Sequence, residues 1–261
     1  MRGGWQAADQ GPEAHGAQGS SPAGAWARGA LPVRCLVCRL WSHSAICSGC
    51  RQRFAPPATI AVRCGLCGLR VPPGVPICAG CRRESPPQAG ACIAVDYVHP
   101  WEGLLRAYKF HGRPEFAAAL ASLLAAAVRE GGSPPVDLIV PVPLSAAGLR
   151  RRGFNQAWEI ARRLATPLGS PARADVLQRW VDLPQQAGAD RAQRLDRLRG
   201  VFGVPAGCPQ PVHGLRLAVV DDVYTTGATA AEAVRALRAA GAAEVWIWAL
   251  ARTPPVEDAA S

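Results

Sequence analysis

Apolar and polar positions along residues 90–252 follow a pattern typical of buried strands separated by helices. Continuous apolar runs predict strands in CIAVDYV, VDLIV, LRLAVV and EVWIWAL, and DVLQRWV is interpreted as a further strand. Apolar residues at helical spacing predict helices in EFAAALASLLAAAVRE and GFNQAWEIARRLA, and WEGLLRAYKF predicts a short helix leading into a strand. Strands that alternate with helices indicate an α/β domain with a parallel sheet.

The most informative segment is LAVVDDVYTTGAT, residues 217–229. Its apolar run predicts a buried strand that ends at Val220, directly before the two carboxylates Asp221 and Asp222. A short polar loop and the amphipathic run AAEAVRALRAAG follow, so the segment predicts a strand, a tight loop and the start of a helix. Ligands of open α/β sheets bind beyond this end of the strands.

The residue types in this loop suit a sugar phosphate. The hydroxyls of Thr225, Thr226 and Thr229 can donate to phosphate oxygens, and Gly227 lets the backbone approach a ligand closely. The N–H groups of a helix that begins near Ala228 favour an anion. Two adjacent carboxylates can accept hydrogen bonds from a vicinal diol, so a ribose 5-phosphate would fill the loop.

Four apolar residues, two acidic residues, one apolar residue and a Thr-Gly turn resemble the loop that binds 5-phosphoribosyl 1-pyrophosphate (PRPP) in type I phosphoribosyltransferases. The resemblance implies that Asp221 and Asp222 contact the ribose diol. It also implies that residues 225–229 hold the 5′-phosphate. Mg²⁺ would accompany PRPP, held mainly by oxygens of the substrate.

The chain carries a net charge of +10 and is rich in arginine, with Lys109 as its only lysine. Residues 1–85 contain ten arginines against three acidic residues, and residues 149–199 contain eleven against five. Basic segments of this kind suit a polyphosphate substrate or a nucleic acid, and the charge does not choose between them.

Two cationic side chains are candidates for binding the pyrophosphate group. Residues 150–152 are three arginines close to the expected start of the next helix, where the helix dipole disfavours cations, which favours a role in binding a ligand. A solvated charge run is the alternative. We select Arg152 together with Lys109, which stands in the segment AYKFHGR, and keep Arg191 and Arg194 as weaker candidates.

Eight of the ten cysteines form four CxxC pairs, a pattern typical of tetrahedral Cys₄ zinc sites. Disulfides are the competing interpretation, which the expected cytoplasmic location disfavours. Two structural zinc ions are therefore expected, with sequential pairing as the simplest arrangement and an interleaved, RING-like pairing as the alternative. Cys92 and Cys208 are expected to be small buried residues. The eight candidate ligands are Cys35, Cys38, Cys47, Cys50, Cys64, Cys67, Cys78 and Cys81.

Composition divides the chain into four parts. Residues 1–30 are rich in Gly, Ala and small polar residues and are expected to be disordered. Residues 31–85 are expected to form a double zinc ribbon, 90–252 the phosphoribosyltransferase-like domain, and 253–261 a tail. The sequence has neither an apolar run of about 18 residues nor a signal-peptide core, so we expect a cytoplasmic protein that does not insert into membranes.

The order of the segments extends the resemblance. Four CxxC pairs, then YKFHGR, PVPLSAAGLRRRGFNQA, QQAGADRAQRLDRLRGVF and VVDDVYTTGAT, resemble the ComF family over residues 33–252. This family is amidophosphoribosyltransferase-like, has an N-terminal zinc ribbon and is linked in many bacteria to DNA uptake during natural transformation. Gln186 and Arg194 fit its pattern, whereas Arg197 stands where Asn is usual.

The resemblance implies a PRPP-binding protein that transfers or recognises 5-phosphoribosyl groups. Asp221, Asp222, Lys109 and Arg152 would then carry the chemistry, and no motif identifies the acceptor. The alternative is a non-catalytic PRPP sensor or a single-stranded-DNA-binding accessory protein that uses the zinc ribbon and the arginine-rich segments. A DNA-uptake helicase or translocase would be a suitable protein partner for either.

Overall fold

The computed structural model describes residues 31–57, 62–181, 200–208 and 210–255. Its main sheet has four strands, all parallel, in the order β3-β8-β7-β4. The predicted α/β class, with a parallel sheet flanked by helices, is therefore confirmed. The strands are β1 (Val33–Arg34), β2 (Trp41–Ser42), β3 (Gly90–Asp96), β4 (Leu138–Pro141), β5 (Gln178–Arg179), β6 (Phe202–Gly203), β7 (Arg216–Tyr224) and β8 (Glu244–Arg252).

Helices cover both faces of this sheet. On one face α3, α4 and α6 pack with side chains such as Leu124 and Ile160 fully buried. On the other face α7 packs with Val234 and Leu237, beside the pair formed by β5 and β6. The helices are α1 (Ser48–Phe54), α2 (Ala79–Arg83), α3 (Trp101–Phe110), α4 (Ala117–Glu130), α5 (Ala146–Arg152), α6 (Gln156–Leu168) and α7 (Ala228–Ala239).

Two of the predicted elements are wrong in type or extent. WEGLLRAYKF is helical throughout as α3, because Leu104, Leu105 and Tyr108 meet the core at helical spacing. Within DVLQRWV only Gln178–Arg179 is strand, and it pairs antiparallel with β6 outside the main sheet. The apolar content of that segment misled the prediction, because its Trp180 is 61 % exposed.

The strand before the loop of residues 225–229, named here the phosphate loop after its predicted role, is longer than predicted. β7 continues past Val220 and includes both carboxylates, with Asp221 opposite Ala249 and Tyr224 opposite Arg252 of β8. Pairing with a long neighbouring strand thus holds the aspartates in regular backbone.

The cysteine-rich segment packs against the α/β domain on both faces of the sheet. Phe54 and its neighbours contact the face that carries α3 and α4, and the cysteines of residues 64–81 belong to the core on the face that carries α7. In the described part of the chain, no helix is both long and apolar enough to cross a membrane. The predicted disordered segment 1–30 lies outside the described residues, as do Gln186, Arg191, Arg194 and Arg197.

Candidate functional site

The loop after β7 has the backbone geometry that a phosphate site requires. Gly227 adopts a left-handed conformation with φ of 82° and precedes the first residue of α7. A Cβ atom at this position would lie 2.3 Å from the hydroxyl of Tyr224, so no other residue fits without rearrangement. The side chains of Thr225, Thr226 and Thr229 are at least partly accessible. The N-terminus of a twelve-residue helix therefore opens onto the loop, with its first N–H groups available to an anion.

The two carboxylates precede this loop on β7. Asp222 is only 7 % exposed, and its backbone N–H donates to Oδ1 of Asp221 at 2.8 Å. Because adjacent residues of a strand point to opposite faces, the two side chains approach the carboxyl edge of the sheet from different sides.

Lys109, on the last turn of α3, forms an ion pair with Asp222. The distance from its Nζ to Oδ1 of Asp222 is 2.8 Å, and both side chains are largely buried. Lys109 and Asp222 are 113 positions apart in the sequence. The fold nevertheless brings these two candidate site residues into contact. The pair compensates the charge of a carboxylate in a poorly solvated position.

Asp221 lies in an unfavourable environment for a negative charge. Burial raises the pKa of its carboxyl to about 7, and the neighbouring charge of Asp222 acts in the same direction. The ammonium group of Lys109 opposes this rise without cancelling it. Perturbed carboxyl groups at a sheet edge are typical of functional sites.

Arg152 contacts Phe110, the residue that directly follows Lys109 in the chain. Its guanidinium lies over the ring of Phe110, 5.3 Å from the centroid, and its Nη1 donates to Oε1 of Gln156 at 3.0 Å. The Nε atom of Arg152 is buried and has no hydrogen-bond partner among the described residues. Arg152 thus retains one hydrogen-bond donor that no described residue uses.

Residues 150–152 lie shortly before the start of α6 at Gln156, as expected, but they also belong to a short helix that the sequence pattern did not predict. These arginines form the last turn of α5, which Gly153 ends in a left-handed conformation. A helix C-terminus favours cations, so the electrostatic argument for a ligand role does not hold for the run as a whole. For Arg152, the argument rests on its position beside Phe110 and its buried donor.

The cysteines gather in two groups with sequential pairing. In each group the four ligand atoms lie within 4.8 Å of one another. The first cluster is Cys35, Cys38, Cys47 and Cys50, and the second cluster is Cys64, Cys67, Cys78 and Cys81.

Both clusters fit a tetrahedral zinc ion. Zn–S bonds of about 2.3 Å in a tetrahedron place the sulfur atoms about 3.8 Å apart. The Sγ atoms of Cys38 and Cys47 are 3.8 Å apart, and those of Cys67 and Cys78 are 3.7 Å apart. A disulfide bond needs about 2.05 Å, and all ten cysteines are unbridged. The chemistry and spacing of the donors therefore fit zinc.

Backbone N–H groups support thiolate ligands in both clusters. The N–H of Cys47 donates to Sγ of Cys35, and that of Cys78 donates to Sγ of Cys64. Burial opposes ionisation of Cys35 and Cys64, yet these and neighbouring donors prevail and lower the pKa to about 6 for Cys35 and about 7 for Cys64. Zinc requires the deprotonated form, so these donors favour the ion at Cys35 and Cys64. Burial acts in the opposite direction at Cys67, whose pKa it raises to about 11.

The structure also reveals residues that sequence reasoning missed. Arg252, at the end of β8, donates through Nη1 to the carbonyls of Tyr224 and Thr253 at 3.2 and 2.7 Å and also contacts the carbonyl of Thr225. Gln88, in the proline-rich linker, is 3 % exposed and donates to the hydroxyl of Tyr224 at 3.1 Å. Neither residue belongs to a recognisable motif, because each acts through a contact distant in sequence.

The fold, the loop and the two cysteine clusters define a phosphoribosyltransferase-like protein with an N-terminal cysteine-rich module. Among curated proteins, the chain is 36 % identical over 232 residues to DNA utilization protein YhgH of Salmonella typhi, covering 85 % of this chain and 98 % of that protein. It is 30 % identical over 226 residues to Competence protein F of Haemophilus influenzae, covering 84 % and 96 % respectively. The chain therefore belongs to the ComF family.

Other comparisons are less extensive. The chain is 29 % identical over 139 residues to Competence protein ComFC of Bacillus subtilis, covering 53 % of this chain and 54 % of that protein. No family model matches the sequence. Among solved structures, an adenine phosphoribosyltransferase from Leishmania tarentolae overlaps with a TM-score of 0.36 and 17 % identity, covering 65 % of this chain and 93 % of that one. An overlap of this size carries no functional argument.

Proposed function

We propose that this protein binds PRPP at the carboxyl edge of its sheet and, with Mg²⁺, transfers or recognises the 5-phosphoribosyl group. One observation carries the proposal. Two carboxylates, a loop of hydroxyl-bearing residues, a left-handed glycine and a helix N-terminus follow one another without interruption from β7 into α7. Each of these features has a matching group on a ribose 5-phosphate.

The 5′-phosphate would lie in the loop of residues 225–229. Backbone N–H groups at the start of α7 donate to phosphate oxygens, and the threonine hydroxyls of the loop add further donors. Gly227 gives the loop its left-handed turn, with the hydroxyl of Tyr224 packed against it. The N–H of Ala228 makes only a long contact, 3.4 Å, with Oγ1 of Thr226, and a phosphate oxygen would replace that contact. The ribose would then extend toward Asp221 and Asp222, whose carboxylates accept hydrogen bonds from its two hydroxyls.

Lys109 and Arg152 would bind the pyrophosphate group. Both side chains are partly buried. Phe110 follows Lys109 in the chain and contacts the guanidinium of Arg152. In a transfer reaction the bond from C1 of the ribose to pyrophosphate breaks as the acceptor forms its own bond to C1. Cations that contact the departing pyrophosphate stabilise its growing negative charge. Mg²⁺, when bound with PRPP, would neutralise part of the same charge.

Replacing Asp222 by Asn should weaken PRPP binding by about 1.5–3 kcal/mol, the range for a hydrogen bond to a charged group. The substitution keeps the shape of the side chain and removes the charge that accepts the ribose hydroxyl. Isothermal titration calorimetry with PRPP and Mg²⁺ measures the difference directly. Asp175→Asn is the matched control, because Asp175 also pairs with a cationic side chain, that of Arg173, but its own side chain is 43 % exposed.

Unchanged affinity in Asp222→Asn would refute the assignment of the ribose site. An equal loss in Asp175→Asn would show that the effect is general electrostatics. Pyrophosphate release from PRPP, followed against a panel of acceptors, then separates transfer from recognition. Release that depends on an acceptor and is lost in Asp222→Asn identifies an enzyme, and binding without release identifies a sensor.

A second candidate function, binding of single-stranded DNA, is favoured by the surface of the first cluster. Trp41 on β2 is 67 % exposed, and the guanidinium of Arg34 lies 5.2 Å from its ring centroid. An exposed aromatic ring beside an arginine is suited to stacking with bases without sequence preference. The names of the relatives, which refer to DNA utilization and competence, agree with such a partner.

We expect Trp41→Ala to weaken binding of a labelled single-stranded oligonucleotide by about 1–3 kcal/mol, the contribution of one stacked base. Fluorescence anisotropy at two salt concentrations measures this loss and the salt dependence that phosphate contacts impose. Trp180→Ala is the control, because Trp180 is similarly exposed but lies against Gly203 of β6 and outside the cysteine-rich segment. Competition by PRPP would place the strand across the sugar-phosphate site, and equal losses in both variants would exclude Trp41 as a specific platform.

A further inference from the structure

The second cluster is attached rigidly to the edge strand of the sheet. The carbonyl of Gly65, between two of its cysteines, accepts a hydrogen bond from the N–H of Ala91 on β3 at 2.8 Å. Gly68 lies so close to Ile93 that a Cβ atom would come within 2.0 Å of that side chain. Arg63, next to the first cysteine of the cluster, pairs with Asp96 at the end of β3 at 2.7 Å. The cysteine turn of residues 64–68 therefore cannot move independently of β3.

Gln88 extends this attachment toward the phosphate loop. Its Nε2 donates to the carbonyl of Leu66, inside the cysteine turn, at 2.7 Å and to the hydroxyl of Tyr224 at 3.1 Å. The side chain is 3 % exposed, so both hydrogen bonds are shielded from water. One amide thus connects the backbone of a metal-binding turn with the residue that ends β7.

Tyr224 is in direct contact with the loop that would bind phosphate. Its hydroxyl lies against Gly227, at the place that a Cβ atom of that residue would occupy. The guanidinium of Arg252 lies 5.0 Å from the centroid of its ring and donates to its backbone carbonyl. The position of the tyrosine ring therefore determines how Gly227 and the start of α7 are placed.

The first cluster has no comparable connection among the described residues. Its contacts with the α/β domain run from the carbonyl of Phe54 to Nε1 of Trp101, at 2.6 Å, and from Arg51 to the carbonyl of Ser122. Both partners lie on α3 and α4, and neither belongs to the phosphate loop. The two clusters are therefore inequivalent in their relation to the site.

We propose that the second cluster positions the phosphate loop through Gln88 and Tyr224, so that metal in this cluster, and not in the first, is thermodynamically linked to binding of a phosphate group by that loop. The ligand part of this inference rests on the proposed PRPP function. Gln88 and Tyr224 act as positioning residues, because they contact the loop and the cysteine turn, whereas other residues would bind the ribose and the pyrophosphate. Binding of a ligand and retention of the metal then favour each other reciprocally.

The experiment measures hydrogen exchange of the peptide that covers residues 224–231, in zinc-loaded protein without ligand. Tyr224→Phe removes only the hydroxyl that Gln88 contacts, and we expect exchange of this peptide to be about tenfold faster, as for the loss of one buried hydrogen bond. Cys81→Ser, which disrupts the second cluster, should have the same effect, whereas Cys50→Ser in the first cluster should have none. The double variant Cys81→Ser with Tyr224→Phe should exchange no faster than either single variant, because both break one chain of contacts.

Ser170→Ala is the control for the loss of a buried hydrogen bond elsewhere, since Ser170 donates to the carbonyl of Val136 away from the loop. Unchanged exchange in Tyr224→Phe, or equal acceleration by Cys50→Ser, would overturn the proposal. Should Cys81→Ser fail to fold, Tyr224→Phe decides alone. Calorimetry with PRPP on the same variants tests the proposed PRPP function separately from the positioning role of the second cluster. A wild-type protein that shows the exchange pattern but binds no PRPP refutes the proposed function and retains the positioning role.

Discussion

Protein purified under reducing conditions should contain close to two zinc ions per chain, and removal of these ions should unfold the cysteine-rich segment. Of residues 31–57 only Cys35 and Cys50 are buried, so this stretch has no apolar core of its own. A structural zinc ion contributes about 10–16 kcal/mol in small zinc-binding domains, which is the largest single stabilisation expected anywhere in the chain. Metal analysis by mass spectrometry gives the stoichiometry, and circular dichroism during chelation follows the loss of structure.

Single substitutions test the assignment of ligands. Cys50→Ser and Cys81→Ser should each lower the zinc content to about one ion per chain, since each removes one of four ligands from a different cluster. Cys208→Ser should leave two ions, because Cys208 lies outside both clusters. A zinc content near zero, together with full disulfide content, would refute the metal assignment.

Asp221→Asn should stabilise the protein at pH 8 while it impairs PRPP binding. In the folded state the pKa of Asp221 is raised to about 7 by burial and by Asp222, from an ordinary value of 3.8. The folded state therefore retains a proton that the unfolded chain releases above about pH 4, and stability is lost as the pH rises through 7. Asparagine needs no ionisation, so the variant should gain up to about 4 kcal/mol over the wild type at pH 8.

Urea unfolding at pH 4, 6 and 8, with zinc present throughout, measures this difference. The advantage of the variant should be largest at pH 8 and small at pH 4, where the folded wild-type carboxyl is protonated and the unfolded one is only about half ionised. Glu102→Gln is the control, because Glu102 is exposed and forms a surface pair with Arg106. An advantage that is the same at every pH would contradict the role of ionisation. A site that is destabilising until a ligand arrives is a common compromise between stability and function.

The geometry of the loop after β7 and the grouping of the cysteines could be predicted from sequence because both are local patterns. The run from Leu217 to Thr229 specifies a strand, a turn that only glycine fits and a helix start. Each CxxC pair likewise specifies its own turn, and the structure confirms the sequential grouping of the pairs. The role of each loop residue in binding PRPP stays a prediction.

Features that depend on distant contacts were not predictable. The ion pair of Lys109 with Asp222 arises only when α3 packs beside β7, and the bridge through Gln88 joins residues 136 positions apart. α5 was missed because it has only seven residues and carries three arginines in its last turn. β7 extends past Val220 because β8 is long enough to pair with it. The two polar aspartates conceal this extension in the sequence.

The order of strands also has a consequence for synthesis of the chain. β8 is the last strand in sequence, and it lies between β3, the first strand of the sheet, and β7. A ribosome that has produced every residue up to the phosphate loop has therefore still not supplied the strand that joins the two parts of the sheet. The last cysteine of the two clusters is residue 81. Both clusters therefore emerge from the ribosome well before the sheet of the domain on which they pack can be completed. β3 pairs with no other strand of the sheet, so the nascent chain must protect its unpaired backbone until translation has passed Arg252.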